Sequence, residues 1–237
     1  MKKYTLLYIL PLLALTNCGR KNQPVNNQSV TKPAEAVAKS NIIHKDLFVV
    51  SEFTHLTIVS GADIHYTQGD YSIEAIGDST LLEHIITEFD SSVLTINLGS
   101  ERNPGLNVYE GKKNVRINIS APALRCVSLC SSGNFTTHGL WKGEVIELGI
   151  IGEGSFYCDS IVCNTFDLKS SNNGSGNFAY LTGKEVSFAN LGNSNITANV
   201  DAEHFVAINR GNCTMTFTGR ATTKEIYPTK HGKINFE

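Results

Sequence analysis

The sequence predicts an all-β protein, a right-handed β-helix or solenoid-like stack of short strands in coils of about twenty residues. Three observations predict it. From Ile42 onward apolar and polar residues alternate with period two between turn signals, as half-buried strands require. From Leu124 onward a short Gly/Ser/Asn phrase recurs at a near-constant interval, the mark of repeats that must stack because one coil cannot enclose a core alone. No segment offers the long amphipathic helix that a βαβ crossover needs. Composition agrees. A net charge of −2 over 237 residues supplies no basic face for nucleic acid, and 18% charged residues is too low for a coiled coil or a solvated disordered chain.

At the N-terminus, Lys2 and Lys3 precede an apolar run over residues 4–15, interrupted only by Thr5 and Pro11. A dozen residues cannot span a bilayer that needs about 20 in a helix, so the run reads as the core of a signal peptide, residues 1–17. Leu15-Thr16-Asn17-Cys18-Gly19 then resembles the lipobox of bacterial lipoproteins, with Asn17 in place of the usual Gly, Ala or Ser. That resemblance implies lipid attachment at Cys18, membrane contact through the N-terminal lipid, and, with Gly19 following, sorting to the outer membrane on its periplasmic or surface face. Removing residues 1–17 takes away two lysines and no acid, leaving 220 residues at net charge −4. Residues 18–41 form the lipidated Cys and a flexible tether: Val25, Val30 and Val37 are the only large apolar residues between 20 and 41, too few to order the segment. Any helix over residues 34–38 is too short to hold by itself.

Residues 42–237 are expected to form a single domain. Phe53, Ile58 and Ile64-His65-Tyr66 lie in β-branched and aromatic segments broken at Gly61 and at Gln68-Gly69-Asp70. Residues 71–77 alternate again, residues 81–86 suit one helical turn running into a strand, and residues 93–98 and 115–119 are strands separated by a polar loop over 99–111.

The repeats are clearest over 124–219. Ser131-Ser132-Gly133-Asn134-Phe135 is followed by Gly152-Glu153-Gly154-Ser155-Phe156 and Gly174-Ser175-Gly176-Asn177-Phe178, then by Gly192-Asn193-Ser194-Asn195-Ile196 and Gly211-Asn212-Cys213-Thr214-Met215. The closing apolar residues Phe135, Phe156, Phe178, Ile196 and Met215 form the expected core stack, at steps of 21, 22, 18 and 19. Six positions before the last three stand Asn172, Asn190 and Asn209, which predicts a structural asparagine ladder between coils about 4.8 Å apart. The first two repeats carry Leu129 and Ile150 there, so the ladder starts at the third coil. A polar ligand stripe along one edge is the functional alternative. The glycines that follow are expected to supply positive φ at the corners.

Val59-Ser60-Gly61-Ala62-Asp63-Ile64 with Thr67-Gln68-Gly69-Asp70, together with the later Ser-Gly-Asn and Gly-Ser-Gly-Asn phrases, resembles the GIN domain, a family of auto-transporter adhesin head domains. The resemblance covers roughly residues 46–236. It implies an all-β, β-helix-like architecture, often behind a lipobox, and brings no catalytic residues with it.

Chemistry is sparse. With Cys18 lipidated, Cys126, Cys130, Cys158, Cys163 and Cys213 remain, an odd number that leaves at least one thiol unpaired. Cys126 and Cys130 would lie about 13 Å apart on a straight strand, too far for a mutual disulfide. Cys158 falls two residues past its repeat anchor, like Tyr180, Ala198 and Phe217, and reads as a small buried hydrophobe. The seven histidines follow no ligand spacing. Asp63 and His65 share a strand face at the spacing of an acid–base or metal pair, although an exposed polar face beside a turn is the expected reading. Glu153, Asp159, Lys169 and Arg210 occupy unmatched registers, a poor start for a polysaccharide-cleaving groove. No catalytic residue, metal or cofactor is therefore expected. The expected function is a lipid-anchored, non-catalytic envelope protein that binds a glycan or an envelope or host protein, with exposed aromatics such as Trp141 and Tyr180 favouring binding. A polysaccharide-active β-helix enzyme and a purely structural envelope subunit are the alternatives.

Overall fold

The computed structural model describes residues 42–47, 52–98 and 115–237. The expected signal peptide, Cys18, the tether and the loop over 99–111 lie outside the described residues. The chain runs through β1 (Ile42–Asp46), β2 (His55–Val59), β3 (Asp63–Gln68), β4 (Ser72–Asp78), a single helical turn α1 (Ser79–Leu82), β5 (Ile85–Asp90), β6 (Val93–Leu98), β7 (Val115–Ala121) and β8 (Cys126–Leu129). Five long strands follow, β9 (Asn134–Ile150), β10 (Ser155–Ser170), β11 (Ser175–Asn190), β12 (Asn195–Asn209) and β13 (Thr214–Pro228), then β14 (Lys233–Phe236). Asp78 caps α1, its carboxylate accepting from the Thr80 backbone N–H at 3.0 Å. Together the strands build a β-solenoid of about six turns.

The strands of the repeats are not short. Each coil is one strand of 15 to 17 residues, bent where its inward–outward alternation slips phase. In β10, Phe156 and Cys158 point inward, then Ile161 and Cys163, then Phe166, Leu168 and Ser170. The two slips turn the strand into three sides without ending its ladder, because every coil above and below slips at nearly the same place. Coil length is adjusted at the first corner. There His138 and Gly139 stand opposite Asp159 alone, and Ala179 and Tyr180 stand opposite Asn199 alone.

Pairing corrects the expected register. Phe135 lies beside Phe156, Phe156 beside Gly176, Gly176 beside Ile196 and Ile196 beside Met215, which gives steps of 21, 20, 20 and 19. Phe178 sits two residues past the anchor position, beside Cys158 and Ala198, where Tyr180 had been expected. Its ring covers the space that Gly176 leaves: a Cβ on Gly176 would lie 2.8 Å from Phe178 Cε2. All five apolar residues are nonetheless buried, and so is Cys158. Gly176→Ala should therefore destabilise the protein by about 1–3 kcal/mol through overpacking, and by less in a Phe178→Leu background. Urea denaturation of the two single variants and the double variant measures the coupling; strict additivity would count against this packing.

Asn172 moves off the ladder for the same reason. The column at the end of the third side is Leu129, Ile150, Ser170, Asn190 and Asn209. Asn190 Nδ2 donates to Asn209 Oδ1 at 3.0 Å, and both amides are fully buried. They also hold the turns that follow them. The Gly211 N–H donates to Asn209 Oδ1 at 3.1 Å, and Asn209 Nδ2 donates to the Cys213 carbonyl at 2.9 Å. Asn172 lies two residues further on, in the exposed turn, where its amide donates to the Ile151 carbonyl.

The turn glycines answer to stacking rather than to dihedral freedom. Among the described glycines only Gly139 and Gly219 have positive φ. Turns hydrogen-bond directly to the turn of the previous coil, as in Gly154 N–H to the Ser131 carbonyl at 2.9 Å and Asn193 N–H to the Asn172 carbonyl at 3.0 Å. At that distance there is no room for a side chain. A Cβ would come within 2.3 Å of the Gly133 oxygen at Gly154, within 2.1 Å of the Gly154 oxygen at Gly174, and within 2.2 Å of the Asn172 oxygen at Gly192.

The N-terminal region does not stack in sequence order. β2 pairs in parallel with β6 on one edge and β8 on the other, and β3 lies between β7 and β9. The first coil in the chain is thus inside the stack. Beyond it β4 runs antiparallel to β7, β1 antiparallel to β4, and β5 antiparallel to β6.

Candidate functional site

The first side of every coil presents its outward residues on one continuous face. Its strands run in the order β4, β7, β3, β9, β10, β11, β12, β13 and β14. At about 4.8 Å per step, nine strands extend roughly 38 Å. Inward positions there are mostly apolar, with buried Thr137 an exception, and over β9 to β13 the alternating outward positions carry mainly Asn, Ser and Thr. One column reads His65, Thr136, Tyr157, Asn177, Thr197, Thr216 and Asn235. Neighbouring rungs hold one another: Asn134 Nδ2 donates to Asp63 Oδ1 at 3.0 Å, and the Ser175 hydroxyl donates to that of Ser155 at 2.8 Å. Tyr157, 44% exposed, is the large aromatic in the middle of this polar field. Sequence reasoning passed over it. Its signal was present, an aromatic at an outward position between two buried residues of β10.

A cleft of about 500 Å³ opens at one end of the face, among residues of β3, β4, β7 and β9. His65, His138 and Arg116 line it with Glu74, Asn118 and the hydroxyls of Thr67, Ser72 and Ser120. His65 Nδ1 and His138 Nε2 are 2.7 Å apart, while the ring centroids are 5.0 Å apart with the planes inclined by 24°, so the rings meet edge to edge. Desolvation, then repulsion from His138 and Arg116, holds the His65 pKa below its ordinary value against the opposing attraction of Asp63. Glu74 accepts from His44 Nδ1 at 2.6 Å and from Asn118 Nδ2 at 2.9 Å, and these bonds hold its carboxyl below the usual range. Asp63 and His65 share the outward face of β3, as their spacing implied, but each is bonded to a different partner.

The second side carries a separate shallow concavity of about 570 Å³. Cys163, Gly183 and Ala202 are among its lining residues, with Lys184, Glu203 and Arg220 around them. Arg220 grips Asp201 with two parallel bonds, Nε to Oδ1 at 2.8 Å and Nη2 to Oδ2 at 2.7 Å, which lowers the Asp201 pKa. Tyr180, 66% exposed, stands at the first corner, outside this concavity. Trp141 is buried. It is 1% exposed, donates from Nε1 to the Leu124 carbonyl at 3.1 Å, and packs edge-on against Tyr66 with centroids 5.1 Å apart. The anticipated binding aromatic is a core residue because the longer first corner of β9 returns it to an inward position beside Ile161.

The four charged residues considered for a cleavage groove do not meet. Glu153 and Arg210 lie in turns, Asp159 accepts from the Gly139 N–H at the first corner, and Lys169 pairs with Asp167 on the third side. Cys126, Cys130, Cys158, Cys163 and Cys213 are all free thiols. Burial raises the pKa of each and pushes Cys163 up to about 12, so none is an activated nucleophile. Among the described residues no three metal-type side chains cluster.

Residues 52–237 match the family model described as "Putative auto-transporter adhesin, head GIN domain". No curated protein matches the chain. Among solved structures, one from Bacteroides fragilis described as a "putative adhesin" superposes with a TM-score of 0.64 at 19% identity, over 84% of this chain and 98% of that one. Another, from Parabacteroides distasonis and described as a "putative lipid binding protein", gives 0.56 at 16% identity over 84% and 98%. At these identities the likeness is one of fold.

Proposed function

The chain belongs to the GIN head-domain family, and from that membership we propose that it is a lipid-anchored cell-envelope protein with a non-catalytic adhesive role, its first-side face making the contact. The observation that supports this most is the face itself: a wide, regular surface of hydroxyls and amides around exposed Tyr157. Such a surface suits hydrogen bonding to a glycan chain, with an aromatic for the apolar face of a sugar, or to a polar protein surface. A cleavage enzyme would need converging carboxylates, one with a raised pKa. Among the described residues the shifted carboxylates are Glu74 and Asp201, both moved downward by hydrogen bonds, from His44 and Asn118 and from Arg220. Anchoring through Cys18, export by residues 1–17 and placement at the outer membrane complete the reading.

Glycan-array and matrix-protein binding tests it. We expect selective binding that Tyr157→Ala weakens about tenfold, roughly 1.4 kcal/mol, without changing the melting temperature. No binding on either array, or equal binding by the variant, would remove the adhesive assignment to this face. For the anchor, a fatty-acid probe should label the protein in cells and fail to label Cys18→Ser; continued labelling would overturn lipidation at that residue.

A further inference from the structure

We propose that His65 and His138 form a two-imidazole site for a late divalent transition-metal ion such as Zn²⁺ or Ni²⁺, with the remaining coordination positions open to the cleft. The site does not depend on the adhesive reading. Two metal–nitrogen bonds of about 2.0–2.1 Å meeting at 90–110° hold their nitrogens roughly 2.8–3.4 Å apart. His65 Nδ1 and His138 Nε2 already stand at 2.7 Å, so the required separation is a few tenths of an ångström greater. At that distance one ring donates its N–H to the other, so the donor must carry its proton on its other ring nitrogen instead, and the rings must turn until both lone pairs converge on the ion. His138 can do this. It is exposed, it belongs to the extra residue pair at the first corner of β9, and the space beside neighbouring Gly139 is empty to 4 Å.

Ligand chemistry selects the class of metal. Two imidazoles without a thiolate or a free carboxylate favour late first-row ions over Mg²⁺ or Ca²⁺, which need oxygen ligands. Asp63 is engaged by Asn134, and Glu74 by His44 and Asn118. Waters on the open positions would find partners in the hydroxyls of Thr67, Ser72 and Ser120, which line the same cleft. The two histidines are 73 residues apart in the chain, so no local spacing announced them.

Isothermal titration of the tag-free full chain with ZnCl₂ and NiCl₂ at neutral pH, followed by the same titration at pH 5, tests the site. One equivalent should bind at neutral pH and at least about tenfold more weakly in acid, where protons compete for the imidazoles. His138→Ala should lose at least about tenfold in affinity, and His65→Ala likewise, whereas His204→Ala, away from the cleft, and a Cys126→Ser/Cys130→Ser variant should bind as the parent does. His138 is exposed, so His138→Ala should retain the parent melting temperature and gives the decisive comparison even if His65→Ala is poorly folded. Absence of binding by the parent, undiminished binding by His138→Ala, or loss in the His204 or cysteine variants would overturn the assignment.

Discussion

Gly211→Ala is expected to lose more than about 4 kcal/mol of stability, in the exceptional range for a point substitution, and to give little folded protein. The new Cβ would lie 1.4 Å from the Gly192 carbonyl oxygen and 2.6 Å from its carbon. Both are backbone atoms, so no side-chain rotation relieves the overlap. The turn could only lift away from the coil beneath it. That movement would break the Gly211 N–H bond to Asn209 Oδ1 and strand a buried amide that also supports Cys213. Gly139→Ala is the informative control. It meets nothing within 4 Å but has φ +78°, so it should cost only the 1–2 kcal/mol typical of left-handed backbone, approximately. Urea denaturation followed by circular dichroism ranks the two; a smaller loss for Gly211→Ala would refute the stacking explanation of the turn glycines.

Phe188→Ala should cost about 3–5 kcal/mol, the range for removing a fully buried phenylalanine. The ring meets aromatic neighbours in its own coil, in both adjacent coils and in the next one beyond: Phe178 at 5.8 Å, Phe166 at 5.3 Å, Phe205 at 6.0 Å and Phe217 at 4.8 Å between centroids. Its loss therefore opens a void on the axis, where rigid ladders prevent collapse from either direction. Tyr180→Ala, at an exposed position, should stay within about 0.5 kcal/mol of the parent. Comparable losses for the two variants would mean that the aromatic column is not the main support of the stack.

Fold class, coil length and most of the core were legible in the sequence because they rest on periodicities that every coil repeats. The register was less legible. Taking Phe178 as an anchor yields steps of 22 and 18, whose sum equals that of the observed 20 and 20, so the displacement cancels one coil later and leaves no trace in the average period. Only the pairing of Gly176 with Phe156 and Ile196 shows which residue holds the position. Asn172 was displaced with it. Trp141 was misplaced although it lies an even six residues after inward Phe135: three exposed residues at the corner, 138 to 140, hide that alternation, and only the pairing with Ile161 shows it facing inward. The binding face was hidden differently. His65 and His138, or Tyr157 and its polar neighbours, meet only through pairings between strands, and no local window contains such a pairing.

The position of the first coil inside the stack governs how the protein can reach its native state. Within the repeats each strand finds its partner about twenty residues away, and short loops of that size close readily. β2 and β3 meet β8 and β9 only across 71 residues. A ribosome delivering the chain from its N-terminus therefore releases both strands long before either can be covered on its second edge. Contact order alone predicts that the later coils, whose pairings are local, form first and that the N-terminal strands close onto them. The early segment thus waits with an open strand edge, an aggregation liability, and slow or interrupted synthesis is expected to be most hazardous before residue 150, where β9 ends.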